Sequence, residues 1–281
     1  MKIVTDKNFK NEKIGIKAKN LFLLKKEGVN VPNLFCIKSK DSLTDKIDKY
    51  LDENFKKGVK FAIRSSSSVE DSDELSFAGQ FDTYLNIERK DLKEVIEKCR
   101  NPISKNVLAI YANGKNKIEI NIIVQEMVNS QKSGVIFTSN PQGILNETVI
   151  VVGKGIGKNI VEDKIATTSY YYNRTDNVYY YEKQEGAILL TSDEVDELIE
   201  NVKKIENIFG KMLDIEFAIA NNKIYILQVR KITTLDVNNP IVLDNSNIVE
   251  SYPNITLPLT QSFIKEVYYQ VFKGALFRFT N

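Results

Sequence analysis

One stretch of the chain carries side chains suited to phosphate and metal chemistry. Much of residues 214–230 alternates between polar and apolar types, which predicts a hairpin with one polar face. On that face Glu216 would lie beside Gln228, and Asp214 beside Arg230. A carboxylate and an amide oxygen suit a hard cation, and an arginine suits phosphate oxygens. The pattern by itself equally fits a solvated face with a surface ion pair.

The register of this hairpin depends on its turn. A two-residue turn at Asn221 and Asn222 would pair Glu216 with Leu227 and mix the two faces, so the sequence predicts a three-residue turn centred on Asn222. Asparagine tolerates the left-handed conformation that such a turn requires. The apolar pairs expected in this register are Ile215 with Val229, Phe217 with Leu227, and Ile219 with Tyr225.

Three other segments could approach anionic oxygen. Arg64 ends a predicted strand and leads into Ser65–Ser68, and Lys17 stands in the first turn of a predicted helix, where an anion is favoured. Each has a plain alternative, because a serine run is commonly a flexible loop and a lysine commonly a surface residue. Gly153–Gly157 follows a predicted strand, but its spacing differs from that of a dinucleotide-binding loop.

The composition excludes several kinds of chemistry. The 281 residues include no histidine, which excludes Ser–His and Cys–His nucleophile pairs and a phosphohistidine on this chain. The 39 Lys and Arg residues nearly balance 37 Asp and Glu, which gives no support for nucleic-acid or membrane-surface binding. Two cysteines, Cys36 and Cys99, indicate reduced thiols in a cytoplasmic protein. No apolar run approaches the ~18 residues that a membrane-spanning helix needs.

The order of helices and strands predicts an α+β protein with two lobes and an extension. We expect an N-terminal lobe at residues 1–90, a C-terminal lobe at 91–232, and a connector with an amphipathic helix at 233–281. The predicted helices are 17–27, 41–54, 91–112 with an interruption near Pro102, 192–209 and 260–279. The predicted strands are 60–64, 118–128, 134–138, 148–152, 167–172 and 178–181, followed by the hairpin at 213–230. Phe263, Val267, Val271 and Phe272 are spaced to bury one face of the last helix, against this chain or against a further domain.

Five segments, in order, resemble the N-terminal nucleotide-binding domain of phosphoenolpyruvate synthase and pyruvate phosphate dikinase. They are Gly15–Leu21; Arg64-Ser65-Ser66 with Glu70-Asp71 and Phe77–Gln80; Val124–Val128; Ser133–Thr138 with Asn140-Pro141; and Asp214–Glu216 with Leu227–Arg230. The resemblance covers about residues 10–232. It implies the ATP-grasp fold, with two lobes and the nucleotide between them.

The resemblance also implies roles for individual residues, with ATP and Mg²⁺ as the cofactors. Lys17, Arg64 and Arg230 would be the catalytic clamp on the triphosphate. Glu216 and Gln228 would hold Mg²⁺, with Asp214 in support. The other nucleotide contacts would come from Gln125, Glu126, Met127 and Val128 on the adenine side and from Ala78, Gly79 and Gln80 over the phosphates.

The same resemblance implies partners, and the sequence departs from the family at one edge. Gly155-Ile156-Gly157-Lys158 stands where the family usually has Gly-Leu-Gly-Glu, and Asp163 where a glycine is common. We expect a phosphohistidine-bearing domain or subunit as partner, with a pyruvate-type substrate on a separate domain, so the chain would be incomplete alone. Three interpretations stay open: the ATP-dependent half of a phosphoenolpyruvate synthase-like enzyme, the same half of a rifampin-type phosphotransferase, and a nucleotide-binding regulatory module without turnover.

Overall fold

The computed structural model divides the chain into two compact units, Met1–Val237 and Asn238–Asn281. It describes residues 2–66, 71–72, 75–76, 83–100, 119–161, 164–232 and 262–271. Residues 262–271 form a helix in the smaller unit, inside the range predicted from sequence. Phe263, Val267 and Val271, predicted to bury one face of this helix, are exposed. Among the described helices, none is both long and apolar enough to cross a membrane.

Within its described residues, the first half of the larger unit contains a five-stranded antiparallel sheet and three α-helices. Its strands are β1 (Ile3–Val4), β2 (Leu34–Ile37), β3 (Phe61–Ser66), β4 (Asp71–Ser72), β5 (Leu75–Ser76), β6 (Thr83–Ile87) and β7 (Asn121–Glu126). Its helices are α1 (Ile16–Lys26), α2 (Lys46–Asn54) and α3 (Leu92–Arg100). The sheet order is β1-β2-β7-β3-β6, and β4 pairs with β5 in a separate two-stranded sheet.

One face of this first sheet is covered by α2 and α3. Ile47 and Leu51 of α2 are four residues apart and buried, as are Leu92 and Ile96 of α3, so each helix turns an apolar stripe to the sheet. Helix α2 begins at Lys46 rather than at the predicted residue 41. Helix α3 covers the first part of the helix predicted at 91–112, and residues 101–112 lie outside the described residues.

The second half of the larger unit is a six-stranded antiparallel sheet with a long helix against it. Its elements are β8 (Lys132–Phe137), β9 (Glu147–Lys154), α4 (Lys158–Val161), β10 (Thr167–Asn173), β11 (Val178–Lys183), α5 (Ser192–Phe209), β12 (Leu213–Ala220) and β13 (Lys223–Lys231). The sheet order is β11-β10-β9-β8-β12-β13. The bounds predicted for α5 are confirmed. It begins with a capping box between Thr191 and Glu194 and ends before Gly210, whose φ is 84°.

Helix α1 connects the two sheets. Leu21 and Phe22 are fully buried in a core that also contains Ile123 of β7 and Phe217 of β12. The side-chain amide of Asn20 donates to the carbonyl oxygen of Val229 at 3.0 Å, which joins α1 to β13. The first turn of α1, which carries Lys17, is therefore held where the two sheets meet.

The lobe boundary predicted at residues 90 and 91 does not follow the sheets. Strand β7 lies beyond that boundary in sequence, yet it pairs with β2 on one side and β3 on the other. Residues 122–124 of β7 are fully buried because both faces of the sheet are covered, which is what a continuous apolar run indicates. The chain passes from the first sheet to the second between Glu126 and Lys132.

Candidate functional site

The polar face predicted for the β12–β13 hairpin is present. Glu216 pairs with Gln228, and Asp214 pairs with Arg230, in antiparallel register. Directly opposite residues point to the same face of a sheet, so these four side chains share one face. Ile215 lies between Asp214 and Glu216 in sequence and pairs with Val229 on the opposite, buried face of the hairpin.

The turn of this hairpin differs from the prediction. Ala220 pairs with Lys223, so the turn has two residues, Asn221 and Asn222, and not three. Their φ values of 51° and 56° are the two positive values that a two-residue type I′ turn requires. The predicted pairs of Phe217 with Leu227 and Ile219 with Tyr225 are therefore wrong. The observed pairs are Phe217 with Ile226, Ala218 with Tyr225, and Ile219 with Ile224.

A bulge reconciles this short turn with the correct polar face. The register shifts between Glu216 and Phe217, so that Leu227 is an extra residue on β13. Without it, a two-residue turn would place Leu227 opposite Glu216. The bulge restores Gln228 to that position, and Gln228 and Val229 are both buried. The hairpin therefore presents its polar face beyond the bulge, away from the turn.

Arg64 of the first sheet reaches this face of the second sheet. One guanidinium nitrogen, Nη1, donates to Glu216 Oε2 at 2.9 Å and to Gln228 Oε1 at 3.1 Å. The Arg64 side chain is only 11% exposed and the Glu216 side chain 32% exposed, so the ion pair is partly shielded from water. Arg64 thus meets two residues that follow it in sequence by 152 and 164 positions.

The electrostatic balance at this point favours an ionised carboxylate. Burial raises the pKa of Glu216, but the positive charges of Arg64, Arg230 and Lys17 outweigh that effect and hold the pKa below its ordinary value. Lys17, Arg64 and Arg230 come from α1, β3 and β13, and all three act on the same carboxylate. The site is therefore rich in cations around few acids, as an anionic ligand such as a polyphosphate requires.

Asp214 orients Arg230. The Nε and Nη2 atoms of Arg230 lie 2.6 Å and 2.5 Å from the same oxygen, Asp214 Oδ2. The Asp214 side chain is 9% exposed and that of Arg230 33% exposed, so the acid is the buried member of the pair. Asp214 therefore fixes the position of the guanidinium on the site face.

Ser66 and Gly15 position Lys17, and sequence reasoning missed the role of Ser66. Helix α1 begins after Gly15, whose φ is 82° and which, as a glycine, has no side chain to cap the helix. The hydroxyl of Ser66, the last residue of β3, accepts a hydrogen bond from the backbone N–H of Ala18 at 3.2 Å. Ser66 thus acts as a helix cap from 48 residues away, which no local pattern could reveal.

The segment predicted to contact adenine joins the two sheets. Gln125 is 1% exposed, and among the described residues its Nε2 atom is buried without a hydrogen-bond partner. The backbone N–H groups of Glu126 and Met127 donate to Asn33 and Lys60 at 2.8 Å and 2.9 Å, which holds the segment to the first sheet. Val128 follows directly. A buried amide donor lacking a partner is costly, and it is commonly explained by a ligand or ordered water.

Three predicted nucleotide contacts lie outside the described residues. They are Ala78, Gly79 and Gln80, which follow β5. Asp163 also lies outside the described residues, and α4 begins at Lys158.

The glycine-rich segment at the end of β9 has a structural explanation. Gly155 has a φ of 82°, and its carbonyl oxygen accepts hydrogen bonds from the hydroxyls of Ser130, at 2.9 Å, and Ser133. A side chain on Gly153 would lie 2.9 Å from atoms of Ile160 and Ile165. Chain geometry and packing therefore account for these glycines without a bound dinucleotide.

The residues at the junction fit Mg²⁺ shared with phosphate. Oxygens of Glu216 and Gln228 converge on a single cationic nitrogen, so they can converge on a metal cation. The described part of the chain holds no group of three or more His, Cys, Asp or Glu side chains that could bind a metal alone. Mg²⁺ is usually held by one or two carboxylates together with substrate phosphates and water, which matches this sparse ligand set.

Comparison with protein families identifies the chain. The family described as "Pyruvate phosphate dikinase, AMP/ATP-binding domain" matches residues 38–246, which include the strands from β3 to β13. The chain belongs to this family. The α+β class and the ATP-grasp fold expected for such a domain are confirmed.

Curated relatives support the same family. The chain is 33% identical over 238 residues to the "Uncharacterized phosphotransferase YvkC" of Bacillus subtilis, covering 75% of this chain and 28% of that protein. It is 32% identical to a "Probable phosphoenolpyruvate synthase" of Archaeoglobus fulgidus (64% of this chain, 28% of that protein). It is 33% identical to the "Rifampicin phosphotransferase" of Bacillus subtilis (62% and 23%). The chain thus spans about a quarter of the length of these relatives.

Proposed function

We propose that this domain is the ATP-dependent half of a phosphotransferase and passes a phosphoryl group from ATP to a histidine on another domain or chain. The observation that carries the proposal is the convergence of Arg64 with Glu216 and Gln228 at the junction of the two sheets. A guanidinium, a carboxylate and an amide from separate elements meet there. The chain belongs to a family of AMP/ATP-binding domains. Phosphoryl transfer depends mainly on such positioning and charge stabilisation.

The residue roles follow from charge and position. Lys17, Arg64 and Arg230 would bind phosphate oxygens and stabilise the charge that develops on the transferred group. Asp214 would hold Arg230 in place through its hydrogen bonds. Glu216 and Gln228 would hold Mg²⁺, which when bound neutralises phosphate charge and orients the group that is transferred.

The nucleotide base would lie beside the segment between the sheets. Gln125 presents a buried amide donor without a partner among the described residues, next to the backbone of Glu126, Met127 and Val128. We propose that these four residues contact adenine. Ala78, Gly79 and Gln80 would cover the phosphates.

The acceptor must lie outside this sequence, because the sequence contains no histidine. In the proposed step a histidine nitrogen attacks phosphorus, a phosphorus–nitrogen bond forms, and the bond from phosphorus to the nucleotide oxygen breaks, so that the nucleotide leaves with the bonding electron pair. In a synthase that forms AMP, water then takes up the second phosphate, which is released. A pyruvate-type substrate on a separate domain would then receive the group, as in a phosphoenolpyruvate synthase. The same first half would serve a rifampicin phosphotransferase, and relatives of both names support the proposal.

Transfer to a supplied acceptor tests this function. The chain is incubated with Mg²⁺ and ATP labelled on its β- and γ-phosphates, with and without a purified histidine-bearing domain from a phosphoenolpyruvate synthase. We expect acid-labile, base-stable label on the histidine domain and none on this chain. Glu216→Gln should abolish the transfer, whereas Lys223→Met, an exposed change at the turn end of β13, should not.

Two results would overturn the proposal. Label on this chain alone, with the stability of phosphohistidine, would contradict the assignment of the acceptor. Mg²⁺-dependent ATP binding without any transfer or isotope exchange would favour a regulatory module, the alternative suggested by Lys158 in place of the family's usual glutamate.

A further inference from the structure

Arg64 occupies the position that the proposed metal would need. A single nitrogen, Arg64 Nη1, lies 2.9 Å from Glu216 Oε2 and 3.1 Å from Gln228 Oε1. These two oxygens are the protein ligands assigned to Mg²⁺. In the molecule as described, the guanidinium is therefore the cation that they bind.

A metal ion and this guanidinium exclude each other at the pair. Mg²⁺ binds oxygen at about 2.0–2.1 Å, so an ion on both oxygens would fall in the space that Nη1 now holds. Two cations that close together also repel, and the repulsion is strong where water is partly excluded. The Arg64 side chain, 11% exposed, is in such a place.

Arg64 is held by this contact but is incompletely satisfied by it. Its Nε atom is buried and has no hydrogen-bond partner among the described residues. A guanidinium has five N–H donors in a planar fork, and that fork matches phosphate oxygens. A polyphosphate bound near Arg64 would thus offer the acceptors that Glu216 and Gln228 do not.

We propose that Arg64 is the resident counter-ion of the Glu216–Gln228 pair and competes with divalent cations for it, so that the metal binds tightly only after a phosphate group has drawn Arg64 away. The competition follows from the contacts above. The part played by phosphate rests on the proposed function, because it requires a nucleotide in this site. Metal and nucleotide would then be coupled through one side chain, each raising the affinity for the other by the same factor.

Manganese binding without nucleotide tests the competition. Free Mn²⁺ is followed by electron paramagnetic resonance during titration of the wild-type chain and of Arg64→Met. Removing the guanidinium should tighten Mn²⁺ binding about tenfold, within the about 5–150-fold span typical of coupled ligands. Lys223→Met removes a positive charge at the turn end of β13, away from the pair, and should bind Mn²⁺ as the wild type does. The double variant Arg64→Met with Glu216→Gln should lose the gain.

Contrary outcomes are clear. Mn²⁺ binding no tighter in a folded Arg64→Met chain, an equal gain in Lys223→Met, or a gain that survives Glu216→Gln would each overturn the competition. Circular dichroism checks the fold, and Arg64→Gln, which keeps a polar side chain, replaces Arg64→Met if that variant unfolds.

A second titration in the presence of a non-hydrolysable ATP analogue tests the coupling. The analogue should tighten Mn²⁺ binding in the wild type and have a smaller effect in Arg64→Met. An equal effect in both chains would overturn the role of Arg64 in the coupling. If the analogue does not bind the wild type at all, the proposed function and the coupling fail, whereas the Mn²⁺ result without nucleotide still decides the competition.

Discussion

Gly15 and Ser66 are in direct contact, and this contact joins the strand that carries Arg64 to the helix that carries Lys17. A Cβ atom added to Gly15 would lie 2.5 Å from the hydroxyl oxygen of Ser66 and 2.6 Å from its carbonyl carbon. The same hydroxyl accepts the hydrogen bond from Ala18 in the first turn of α1. The separation of two proposed phosphate-binding side chains is therefore set by a close approach that only glycine permits.

Gly15→Ala should destabilise the protein strongly. Gly15 has a φ of 82° and a ψ of 164°, a region that essentially only glycine adopts and that costs another residue about 1–3 kcal/mol. The new Cβ would also collide with the backbone of Ser66. Gly210→Ala is the matched control, because Gly210 has a φ of 84° and a ψ of −171° but nothing within 4 Å of an added Cβ. Urea unfolding should show the larger loss for Gly15→Ala. Equal losses would mean that the contact with Ser66 contributes nothing.

Arg230→Ala should impair phosphotransfer far more than folding. The guanidinium is partly exposed, so its removal opens the Asp214 carboxylate to water and should cost stability only modestly, whereas removing one group that stabilises transition-state charge typically costs about 10²–10³ in rate. The rate is measured with the supplied histidine domain and the stability by urea unfolding. Near-wild-type turnover would show that Arg230 is not in the catalytic clamp.

The sequence predicted the polar face of the hairpin better than its turn. Alternation correctly paired Glu216 with Gln228, because segregation of polar from apolar side chains constrains the register there. The prediction failed nearer the turn because it assumed that every residue of one strand pairs with one residue of the other. The bulge at Leu227 interrupts that pairing. A bulge leaves the alternation on each side intact, so the pattern cannot distinguish a longer turn from an extra residue.

The remaining errors and omissions concern contacts between distant parts of the chain. The boundary expected at residue 90 separates β7 from the strands with which it pairs, because β2 and β3 lie more than 50 residues earlier. The cap that Ser66 supplies to α1 and the bridge from Arg64 to Glu216 have the same origin. Local periodicity identifies strands and helices, but these contacts depend on how sheets pack, which local periodicity does not encode.

Deletion of Leu227 should alter the site without rearranging the hairpin. Ile226 pairs with Phe217 on the apolar face, and Gln228 pairs with Glu216 on the polar face. Removing Leu227 makes Ile226 and Gln228 neighbours, so the side chains still alternate between the faces. The residue pairs on both sides of the bulge can therefore persist. The strand would lose the local bend and twist that a bulge gives, so Gln228 would be aimed differently. We expect weaker Mg²⁺-dependent binding of nucleotide by calorimetry. Leu227→Ala keeps the bulge and should retain that binding; equal weakening would implicate the lost side chain instead.

The pH dependence of stability should reflect Glu12. Its carboxylate accepts a hydrogen bond from Lys2 and pairs with Lys38, which together hold its pKa below the ordinary value of 4.5. A carboxyl with a lowered folded-state pKa contributes stability that is present above the unfolded-state value and is lost as the pH falls through the folded-state value.

Glu12→Gln should therefore reduce stability at neutral pH and flatten the decline below pH 4.5. Thermal unfolding measured from pH 7 to pH 3 gives this comparison. Glu200→Gln, on the exposed side of α5, removes the same charge and should leave the profile unchanged. An unaltered profile in Glu12→Gln would show that the two lysine contacts do not contribute.

Gln125→Leu should separate a binding role from a structural one. The Gln125 amide nitrogen is buried and without a partner among the described residues, so a leucine of similar size removes a desolvation cost of about 1–3 kcal/mol. Stability should be maintained or rise, while nucleotide affinity falls because the donor is lost. Asn121, on the same face of β7, is the control. Its side-chain oxygen accepts a hydrogen bond from the backbone N–H of Ser39, and its side-chain NH₂ donates to the carbonyl oxygen of Ser66, so Asn121→Leu should destabilise the protein. Urea unfolding and calorimetry with ATP measure both effects. If Gln125→Leu lost stability as Asn121→Leu does and kept its affinity for ATP, the buried amide would serve the fold and not the nucleotide.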